Sequence, residues 1–327
     1  MVSTRDASAA AAGMLADLVL GEPPEQIHPV ALFGRAMGLV ERSAYRDSRV
    51  AGGLHCALGA GVGMACGLLT PTAVATFVAV GGRELERAAR RVQGALESGD
   101  LEGARRLLPA LVGRDPAGLD EKEVVRAVVE SVAENTVDAV VAPALWAALA
   151  GAPGALGYRA VNTLDAMVGH RSERYGSYGW ASARLDDLAG WVPARVTAGL
   201  VAMVRPRAAG AVRRAVRIQA PAHPSPNSGV AEAAFAAALG VRLGGQNRYG
   251  ENVELRPNLG TGRAPERADI ERSVALARDV GVALAVLLAA VGIAGELASR
   301  AGDSRRRFPR SGVLRSRHSK RDSRGAR

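Results

Sequence analysis

Long apolar stretches without charge dominate the pattern of this sequence. Residues 51–82 contain no Asp, Glu, Lys or Arg. About 20 apolar residues suffice to cross a bilayer, so this stretch predicts either one membrane span with excess length or a tight re-entrant hairpin. Within it, Gly59, Gly63 and Gly67 recur at every fourth position. Small residues at this spacing favour close packing between helices in lipid.

Two further stretches have the length and composition of membrane spans. Residues 280–298 carry a single charged side chain, Glu296. Residues 137–156 are also mostly apolar, although Pro143 and the Gly-Ala-Pro-Gly sequence at 151–154 interrupt them. Because proline removes a helical hydrogen bond and glycine relaxes the backbone, we expect a break in this third candidate.

Other segments have the pattern of amphipathic or half-buried helices. Residues 7–20 are short for a span and contain Asp17, which leaves a span and a half-buried helix as alternatives. Residues 180–204 mix apolar and charged positions, as an amphipathic or cavity-lining helix does. Residues 205–217 form a basic amphipathic stretch that suits anionic lipid. No alternating strand pattern of any length is present in the sequence.

These patterns predict an all-α protein, a multi-pass membrane helical bundle with cytoplasm-facing loops and amphipathic helices. Residues 243–265 have the composition of a loop. The alternative fold is a soluble protein with buried apolar helices, and the uncharged length of residues 51–82 argues most strongly against it. We expect residues 1–299 to form a single helical membrane domain and residues 300–327 a basic, disordered tail.

The net charge of +10 does not indicate a nucleic-acid-binding protein. Residues 300–327 alone contribute a net charge of +9, which leaves +1 for the rest of the chain. Aromatic residues, which would stack on bases, make up only 4% of the sequence. We therefore expect membrane lipid, and no nucleic acid, among the partners of this protein.

Three carboxylates lie at successive i, i+4 positions immediately before an apolar stretch. They are Glu130, Glu134 and Asp138, with Asn135 beside them. On a helix these positions form one stripe, where like charges repel each other unless a cation compensates them. Either arginines from elsewhere in the chain or a bound divalent metal would supply that charge.

Three aspartates elsewhere in the chain are candidates for the same site. They are Asp165, Asp186 and Asp187, and Arg184 adds a cation beside the last two. For each carboxylate alone, a structural ion pair is the alternative. For the group as a whole, the high cost of burying charge near lipid favours a function.

Common nucleotide-binding and metal-binding motifs are absent from the sequence. Neither Lys122 nor Lys320 follows a glycine as a P-loop requires, and no H-E-x-x-H sequence occurs. A bound nucleotide would therefore need arginines, backbone amides and a carboxylate-bound Mg²⁺ to hold its phosphates. His28 and Asn227 lie in proline-containing loops, where a simple turn is the alternative to a chemical role.

An ordered series of motifs extends over residues from about 14 to 295. The motifs are Asp17 with Gly21, Pro23 and His28-Pro29, Gly113-Arg114-Asp115, VESVAENTVDAVVAP from Val129, AVNTLDAMVGH from Ala160, SARLDD from Ser182, SPNSG from Ser225, and LGG with Asn247 and Tyr249. This set resembles the cobalamin-biosynthesis membrane protein family termed CobD or CbiB, the adenosylcobinamide-phosphate synthases. Residues 49–83 are shorter than the two-span hairpin expected of that family, and the basic tail looks like an addition.

The resemblance implies a multi-pass enzyme of the cell inner membrane that acts in the corrin pathway. The family joins adenosylcobyric acid to aminopropanol phosphate, or to aminopropanol, through an amide bond, with ATP as a substrate and Mg²⁺ as the cofactor. The corrinoid and the amine are the expected substrates. A homo-oligomer or an association with other corrin-pathway enzymes is also consistent with the resemblance.

The reaction that the resemblance implies suggests a role for each candidate side chain. The corrin propionate would be phosphorylated by ATP to an acyl phosphate, which the amine then attacks. We expect the Mg²⁺ ligands to be Glu130, Glu134 and Asp138, completed by Asp186 or Asp187. The candidates for contacts with the nucleotide are Arg114, Arg126, Arg184, Asn135 and Asn227. The candidates for proton transfer are His28 and Asp165, with Glu134 as a further catalytic residue.

Two other functions remain as alternatives. An intramembrane, Mg²⁺-dependent prenyltransferase or phosphotransferase would also use acidic clusters. It should show D-x-x-x-D pairs on two helices, a spacing that Asp165, Asp186 and Asp187 do not have. A non-enzymatic membrane scaffold for corrin-pathway enzymes would hold the same carboxylates in ion pairs with arginine.

Overall fold

The structure is a computed structural model that describes residues 3–24, 26–113, 116–170, 172–249 and 252–307. Helices make up most of this part of the chain. They are α1 (Thr4–Leu20), α2 (Pro29–Ala44), α3 (Arg49–Leu68), α4 (Thr72–Ala79), α5 (Gly82–Glu97), α6 (Leu101–Leu107), α7 (Glu121–Thr136), α8 (Ala142–Val168), α9 (Trp180–Val204), α10 (Ala209–Ile218), α11 (Ser228–Leu239) and α12 (Arg267–Arg307). Two strands, β1 (Leu243–Tyr249) and β2 (Asn252–Leu259), form an antiparallel pair.

Helix α8 is central to the packing of the bundle. It contacts α1, α3, α4 and α9, while α12 packs along α1, α5 and α7. The core between these helices consists mainly of alanine and valine side chains. Because these side chains are small, the helix backbones approach one another closely.

Three helical segments in the described part of the chain are long and apolar enough to cross a membrane: Arg49–Leu68, Glu121–Val168 and Arg267–Arg300. Large apolar side chains on their outer faces have no protein neighbour to cover them. Leu54 of α3 is 69% exposed and Val286 of α12 is 61% exposed. Extensive apolar faces of this kind indicate contact with lipid. The prediction of an all-α membrane helical protein is confirmed.

The uncharged stretch at residues 51–82 divides into two helices of different length. Helix α3 ends at Leu68 and is long enough to cross a bilayer, whereas α4 has 8 residues and is too short. Pro71, which lacks a backbone N–H, lies between them and precedes the first residue of α4. The excess length is therefore taken up by a short helix that packs on α1 and α8.

The glycines of α3 lie in a close helix contact, as their spacing predicted, and the structure shows that the partner is α8. A Cβ atom built on Gly63 would lie 2.6 Å from the carbonyl oxygen of Leu156. A Cβ atom built on Gly67 would lie 2.5 Å from the Cα atom of Pro153. Only glycine therefore lets the backbones of α3 and α8 touch at these two levels.

The break predicted at residues 151–154 lies inside α8. Ala150 and Gly151 leave the helical conformation, and Gly151 adopts φ 65° and ψ −157°, a combination that is accessible almost only to glycine. A second irregularity precedes α8, where the π-helical turn Val137–Val141 joins it to α7. Such turns are rare and occur frequently at functional sites.

One prediction about the C-terminal third, the loop at residues 243–265, is wrong. The stretch predicted as a loop contains the β1–β2 hairpin, in which Gly244 and Gly245 adopt positive φ and a bulge follows Leu243. These glycines hide the apolar alternation by which a strand is recognised. Helix α12 continues to Arg307, beyond the predicted start of the tail, and residues 308–327 lie outside the described residues.

Candidate functional site

Helix α7 and the π turn after it hold the predicted carboxylate stripe. The helix begins at a capping box, in which Asp120 Oδ1 accepts the amide of Glu123 at 2.8 Å and Glu123 Oε2 accepts the amide of Asp120 at 2.9 Å. Glu130 and Glu134 follow one helical turn apart, and Asp138 lies in the π turn. The stripe exists, but its three carboxylates have different partners.

Glu130 and Arg126 attach the β1–β2 hairpin to α7. Glu130 Oε1 accepts the backbone amide of Gly244 at 2.9 Å and lies 3.8 Å from Nε of Arg126. Arg126 in turn donates to the carbonyl oxygens of Gly244 and Gln246. Arg126, which the sequence suggested as a phosphate contact, thus anchors β1 in this structure.

Glu134 lies in a cavity of about 110 Å³ that we call the acidic pocket. Its ionisable lining residues are Glu130, Glu134, Glu232, His223 and Arg256. Glu134 hydrogen-bonds Ser228 and the carboxyl group of Glu232. Two ionised carboxylates in contact repel each other, so this contact requires a shared proton or a nearby cation.

His223 borders the acidic pocket as a neutral ring. Its Nε2 lies 3.4 Å from Oε1 of Glu232 and accepts from Nη1 of Arg256 at 3.1 Å. Burial lowers the pKa of His223, and the charge of Arg256 lowers it further. Glu232 and His223 were absent from the sequence-based candidates, although Glu232 is the only charged residue of the alanine-rich helix α11.

The aspartates form a separate group where the π turn, α8 and α9 meet. We call it the aspartate group, and its members are Asp138, Asp165, Asp186 and Asp187. Asp138 Oδ1 accepts from the Tyr158 hydroxyl at 3.4 Å. Nδ2 of Asn162 donates to Asp186 Oδ1 at 3.2 Å, and Asn162 also hydrogen-bonds Asp138. Asp165 interacts electrostatically with Asp186 and with Asp187.

Asn227 ties the loop before α11 to α9. Its Nδ2 donates to the backbone carbonyl oxygen of Asp187 at 2.8 Å, and its Oδ1 accepts from Nη1 of Arg195 at 3.2 Å. These contacts connect Asn227 to the backbone beside the aspartate group. The nucleotide contact that the sequence suggested for Asn227 stays a prediction.

The five carboxylates predicted as one set of metal ligands are divided between two groups. Glu130 and Glu134 belong to the acidic pocket, whereas Asp138, Asp186 and Asp187 belong to the aspartate group. Among the residues that the structure describes, no three His, Cys, Asp or Glu side chains form a group that could hold a metal ion. The two groups are linked, because Glu134 interacts electrostatically with Asp138 and Asp138 with Asp186, so the predicted set of metal ligands stays a prediction.

A cavity of about 1030 Å³, which we call the arginine cavity, lies beside α2, α5 and α8. Its arginines are Arg35, Arg42, Arg87, Arg91 and Arg159. Asn135 lines the cavity, and Leu111 lines both this cavity and the acidic pocket. Of the arginines expected to contact phosphate, Arg184 is exposed on α9 and is not among the lining residues, and Arg114 lies outside the described residues.

Arg159 lines this cavity with a buried N–H group that is not hydrogen-bonded to any described residue, although its charge interacts with Glu22. Its Nε is buried and has no hydrogen-bond partner in the described part of the chain. Other arginines are held locally: Nη2 of Arg91 lies 2.6 Å from Oε1 of Glu84, and Nη2 of Arg35 donates to the carbonyl oxygen of Gln26 at 2.8 Å. A buried donor without an acceptor, in a cavity rich in guanidinium groups, favours an anionic ligand.

Glu22 and His28 form a pair in the wall of the arginine cavity. Nε2 of His28 lies 3.4 Å from Oε2 of Glu22. Burial raises the pKa of the Glu22 carboxyl group to about 7, although the charge of Arg159 opposes the rise. Burial, and then Arg159, lower the pKa of His28. Asp165, the other candidate base, belongs to the aspartate group and does not line this cavity.

The fold and these cavities define a helical membrane protein with polar sites of opposite charge inside its bundle. The family model described as CobD/Cbib protein matches residues 10–277. The chain therefore belongs to the CobD/CbiB family, and this membership assigns it to cobalamin biosynthesis.

Relatives from distant bacteria agree with this assignment. A protein of Mycobacterium tuberculosis is 52% identical over 289 residues, which cover 84% of this chain and 92% of the relative. A protein of Geobacter metallireducens is 43% identical over 298 residues, which cover 85% and 94%. Each of these relatives bears the name cobalamin biosynthesis protein CobD. No solved structure matches the chain.

Proposed function

We propose that this protein is an ATP-dependent acid–amine ligase of the cell inner membrane, with several spans. It would join adenosylcobyric acid to aminopropanol, free or phosphorylated, through an amide bond. The observation that supports this proposal is the presence of two neighbouring cavities of opposite charge, which share Leu111 as a lining residue. A ligase of this kind handles anionic phosphates and an amine that arrives as a cation, so it needs both environments.

The reaction divides into two steps. A carboxylate oxygen of the corrinoid attacks the terminal phosphorus of ATP, which forms an acyl phosphate and releases ADP. The amine nitrogen then attacks the acyl carbon, and inorganic phosphate leaves with the electron pair of the broken C–O bond. Both steps concentrate negative charge on oxygen, which fixed guanidinium groups stabilise strongly where water is excluded.

The arginine cavity suits the phosphates of this reaction. Ligand pockets commonly have volumes of about 300–1,000 Å³, and this cavity has about 1030 Å³. Arg159 would donate its buried Nε–H to a phosphate or acyl-phosphate oxygen. Arg87 and Arg91 of α5 form ion pairs with Glu84 in this structure and would form ion pairs with the phosphates instead when the ligand binds. Charge-assisted hydrogen bonds of guanidinium to phosphate are among the strongest available to a protein.

The aspartate group would hold Mg²⁺ through two of its carboxylates. Mg²⁺ is usually held by one or two carboxylates, several waters and the phosphates of its substrate. Asp138 and Asp186, which share the Asn162 amide, would be the protein ligands of such an ion. A bound Mg²⁺ would neutralise charge on the ATP phosphates and thereby help the terminal phosphorus to react.

The acidic pocket suits the amine. Glu130, Glu134 and Glu232 surround a space of about 110 Å³, which accommodates a small alkylammonium group but neither a corrin nor a nucleotide. Their negative charge would attract the ammonium group before it reacts. From the acidic pocket the amine would pass Leu111 into the larger cavity, where the acyl phosphate is held.

An amide-forming assay tests the proposed function. The purified chain in lipid nanodiscs would receive adenosylcobyric acid, ATP, Mg²⁺ and either aminopropanol or its phosphate. We expect the corrinoid to be consumed only when ATP and the amine are both present, with one ADP released per amide. If folded, monodisperse protein forms no amide, the ligase proposal fails and the scaffold alternative gains support. Transfer of a prenyl or phosphoryl group without amide formation would favour the transferase alternative.

Replacing Glu134 by glutamine is expected to lower kcat/KM for the amine by about 100-fold. Glutamine retains hydrogen-bonding groups for Ser228 and Glu232 but removes the negative charge that attracts the ammonium group. Glu97→Gln, an exposed change on α5 outside both cavities, is the matched control and should stay within about twofold of wild type. Both variants should insert into membranes equally well. Near-normal activity of Glu134→Gln would exclude the acidic pocket from the reaction.

A further inference from the structure

The loop between α1 and α2 brings a carboxylate into the wall of the arginine cavity. Glu22 lies in this loop, and its side chain is 17% exposed. One of its oxygens, Oε1, lies against α5, where a Cβ atom built on Gly81 would come within 2.8 Å of it. The other oxygen, Oε2, faces Nε2 of His28. The carboxyl group therefore lies between the start of α5 and His28, and it borders the space where an anionic ligand would lie.

The hydrogen bonds of His28 determine which of its nitrogens carries a proton. Nδ1 accepts the backbone amide of Val30 at 3.2 Å and caps the N-terminus of α2, so it has no proton of its own. In a neutral ring the proton is then on Nε2, a buried donor that lies 3.4 Å from Oε2 of Glu22 and makes no hydrogen bond within the described residues. Nε2 cannot accept a second proton, and protonation of Nδ1 would break the helix cap. His28 is thus poorly suited to act as a base.

The charged groups around Glu22 have opposing effects on the ionisation of its carboxyl group. Arg159 of α8 and Arg87 of α5 stabilise the ionised carboxylate, whereas Asp17 of α1 and Glu84 of α5 oppose it. Burial is the largest influence and brings the pKa of Glu22 to about 7, from an ordinary value of 4.5. A carboxyl group in this range both accepts and releases a proton readily at neutral pH.

We propose that Glu22 is the general base that removes a proton from the incoming ammonium group, and that His28 is a positioning residue whose unpaired Nε2–H would donate to the Glu22 carboxylate once Glu22 is ionised. This inference rests on the proposed ligase function. One proton passes from the ammonium nitrogen to Glu22 before attack on the acyl phosphate. The second leaves with the departing phosphate, and Glu22 then returns its proton to water.

Replacing Glu22 by glutamine tests the inference when two nucleophiles are compared. The natural amine is protonated at neutral pH and needs a base, whereas hydroxylamine is largely unprotonated and traps an acyl phosphate as a hydroxamate without one. We expect Glu22→Gln to lower amide formation by about 100-fold and hydroxamate formation by less than about threefold. Equal loss with both nucleophiles, or no loss with either, would overturn the assignment of Glu22. Wild-type protein that yields neither product would instead refute the ligase proposal itself.

The pH dependence separates Glu22 from His28 as the base. In the wild type we expect kcat/KM for the amine to rise with pH through about 7, because Glu22 must lose its proton. Glu22→Gln should lose this rise. His28→Asn retains a helix-capping side chain but lacks Nε2–H, so the rise should persist and move to higher pH. A rise near pH 7 that survives in Glu22→Gln and vanishes in His28→Asn would contradict the inference.

The stability of Glu22→Gln provides a readout that does not depend on activity. The pKa of Glu22 in the folded protein exceeds its ordinary value of 4.5. The contribution of this carboxyl group to the free energy of unfolding is therefore fully present below pH 4.5 and is lost as pH rises through about 7. Glutamine carries no charge to bury. The variant should therefore melt at a higher temperature than the wild type at about pH 8.5, and the difference should vanish at about pH 4.5. A lower melting temperature at high pH would show that the ionised carboxylate stabilises the fold.

Discussion

Replacing Gly63 by leucine is expected to separate α3 from α8 and to leave little correctly folded protein. A Cβ atom at this position would lie 2.6 Å from the carbonyl oxygen of Leu156 and 2.7 Å from Cβ of Ala160. Neither atom belongs to a flexible side chain, so the clash can be relieved only by moving a helix. Overpacking of a core typically costs about 1–3 kcal/mol, and a clash with backbone should reach at least the upper end of that range.

Gly61→Leu is the matched control for this prediction. It lies on the same helix, two residues away, and a Cβ atom there would meet nothing within 4 Å. The two substitutions change hydrophobicity and helix propensity equally, so any difference between them reports packing against α8. We would measure melting temperature and the fraction of monodisperse protein after extraction in mild detergent. Equal values for the two variants would show that α3 and α8 are not in contact at Gly63.

Replacing Arg159 by glutamine is expected to lower kcat/KM by 100-fold or more, by about the amount that loss of a key electrostatic donor costs other enzymes. The Nε of Arg159 is buried in the arginine cavity without a hydrogen-bond partner in the described residues. Its charge also favours the ionised form of Glu22. Glutamine would therefore remove a phosphate contact and, in addition, disfavour ionisation of the base.

The pH profile of Arg159→Gln distinguishes these two effects. Because Arg159 holds the pKa of Glu22 below the value that burial alone would give, its loss should shift the rise of kcat/KM to a pH above about 7. KM for ATP should also increase. Arg214→Gln, an exposed substitution on α10, is the control and should behave as the wild type. Activity of Arg159→Gln within about twofold of wild type at all pH values would exclude the arginine cavity as the phosphate site.

The carboxylate stripe shows how far a local pattern determines a site. The i, i+4 spacing of Glu130, Glu134 and Asp138 correctly indicated one polar face running into an apolar segment. It did not indicate that Glu134 would contact Glu232, because α11 lies about a hundred residues further along the chain. It also did not indicate the π turn at Asp138, which gives that residue Tyr158 and Asn162 as partners.

The arginines show the opposite case, in which the sequence indicated the residue type but not the positions. Arginine was expected to hold phosphate, yet Arg126 anchors a hairpin and Arg184 is exposed. The cavity is lined instead by arginines of α2, α5 and α8. A charged residue on an amphipathic helix has the same local pattern whether it faces solvent or a cavity. Only the packing of neighbouring helices distinguishes the two.

The sequence by itself determined the membrane class, the positions of the long apolar helices, the glycine face of α3 that packs closely on another helix, and the family. Each of these depends on composition, order or spacing within a short segment, which the chain carries regardless of its tertiary structure. The tertiary structure alone decided that the acidic residues divide into two groups, that five arginines share one cavity, and that Glu22 faces His28. These pairings depend on distances between segments far apart in the chain, and such distances are set by how the helices pack together.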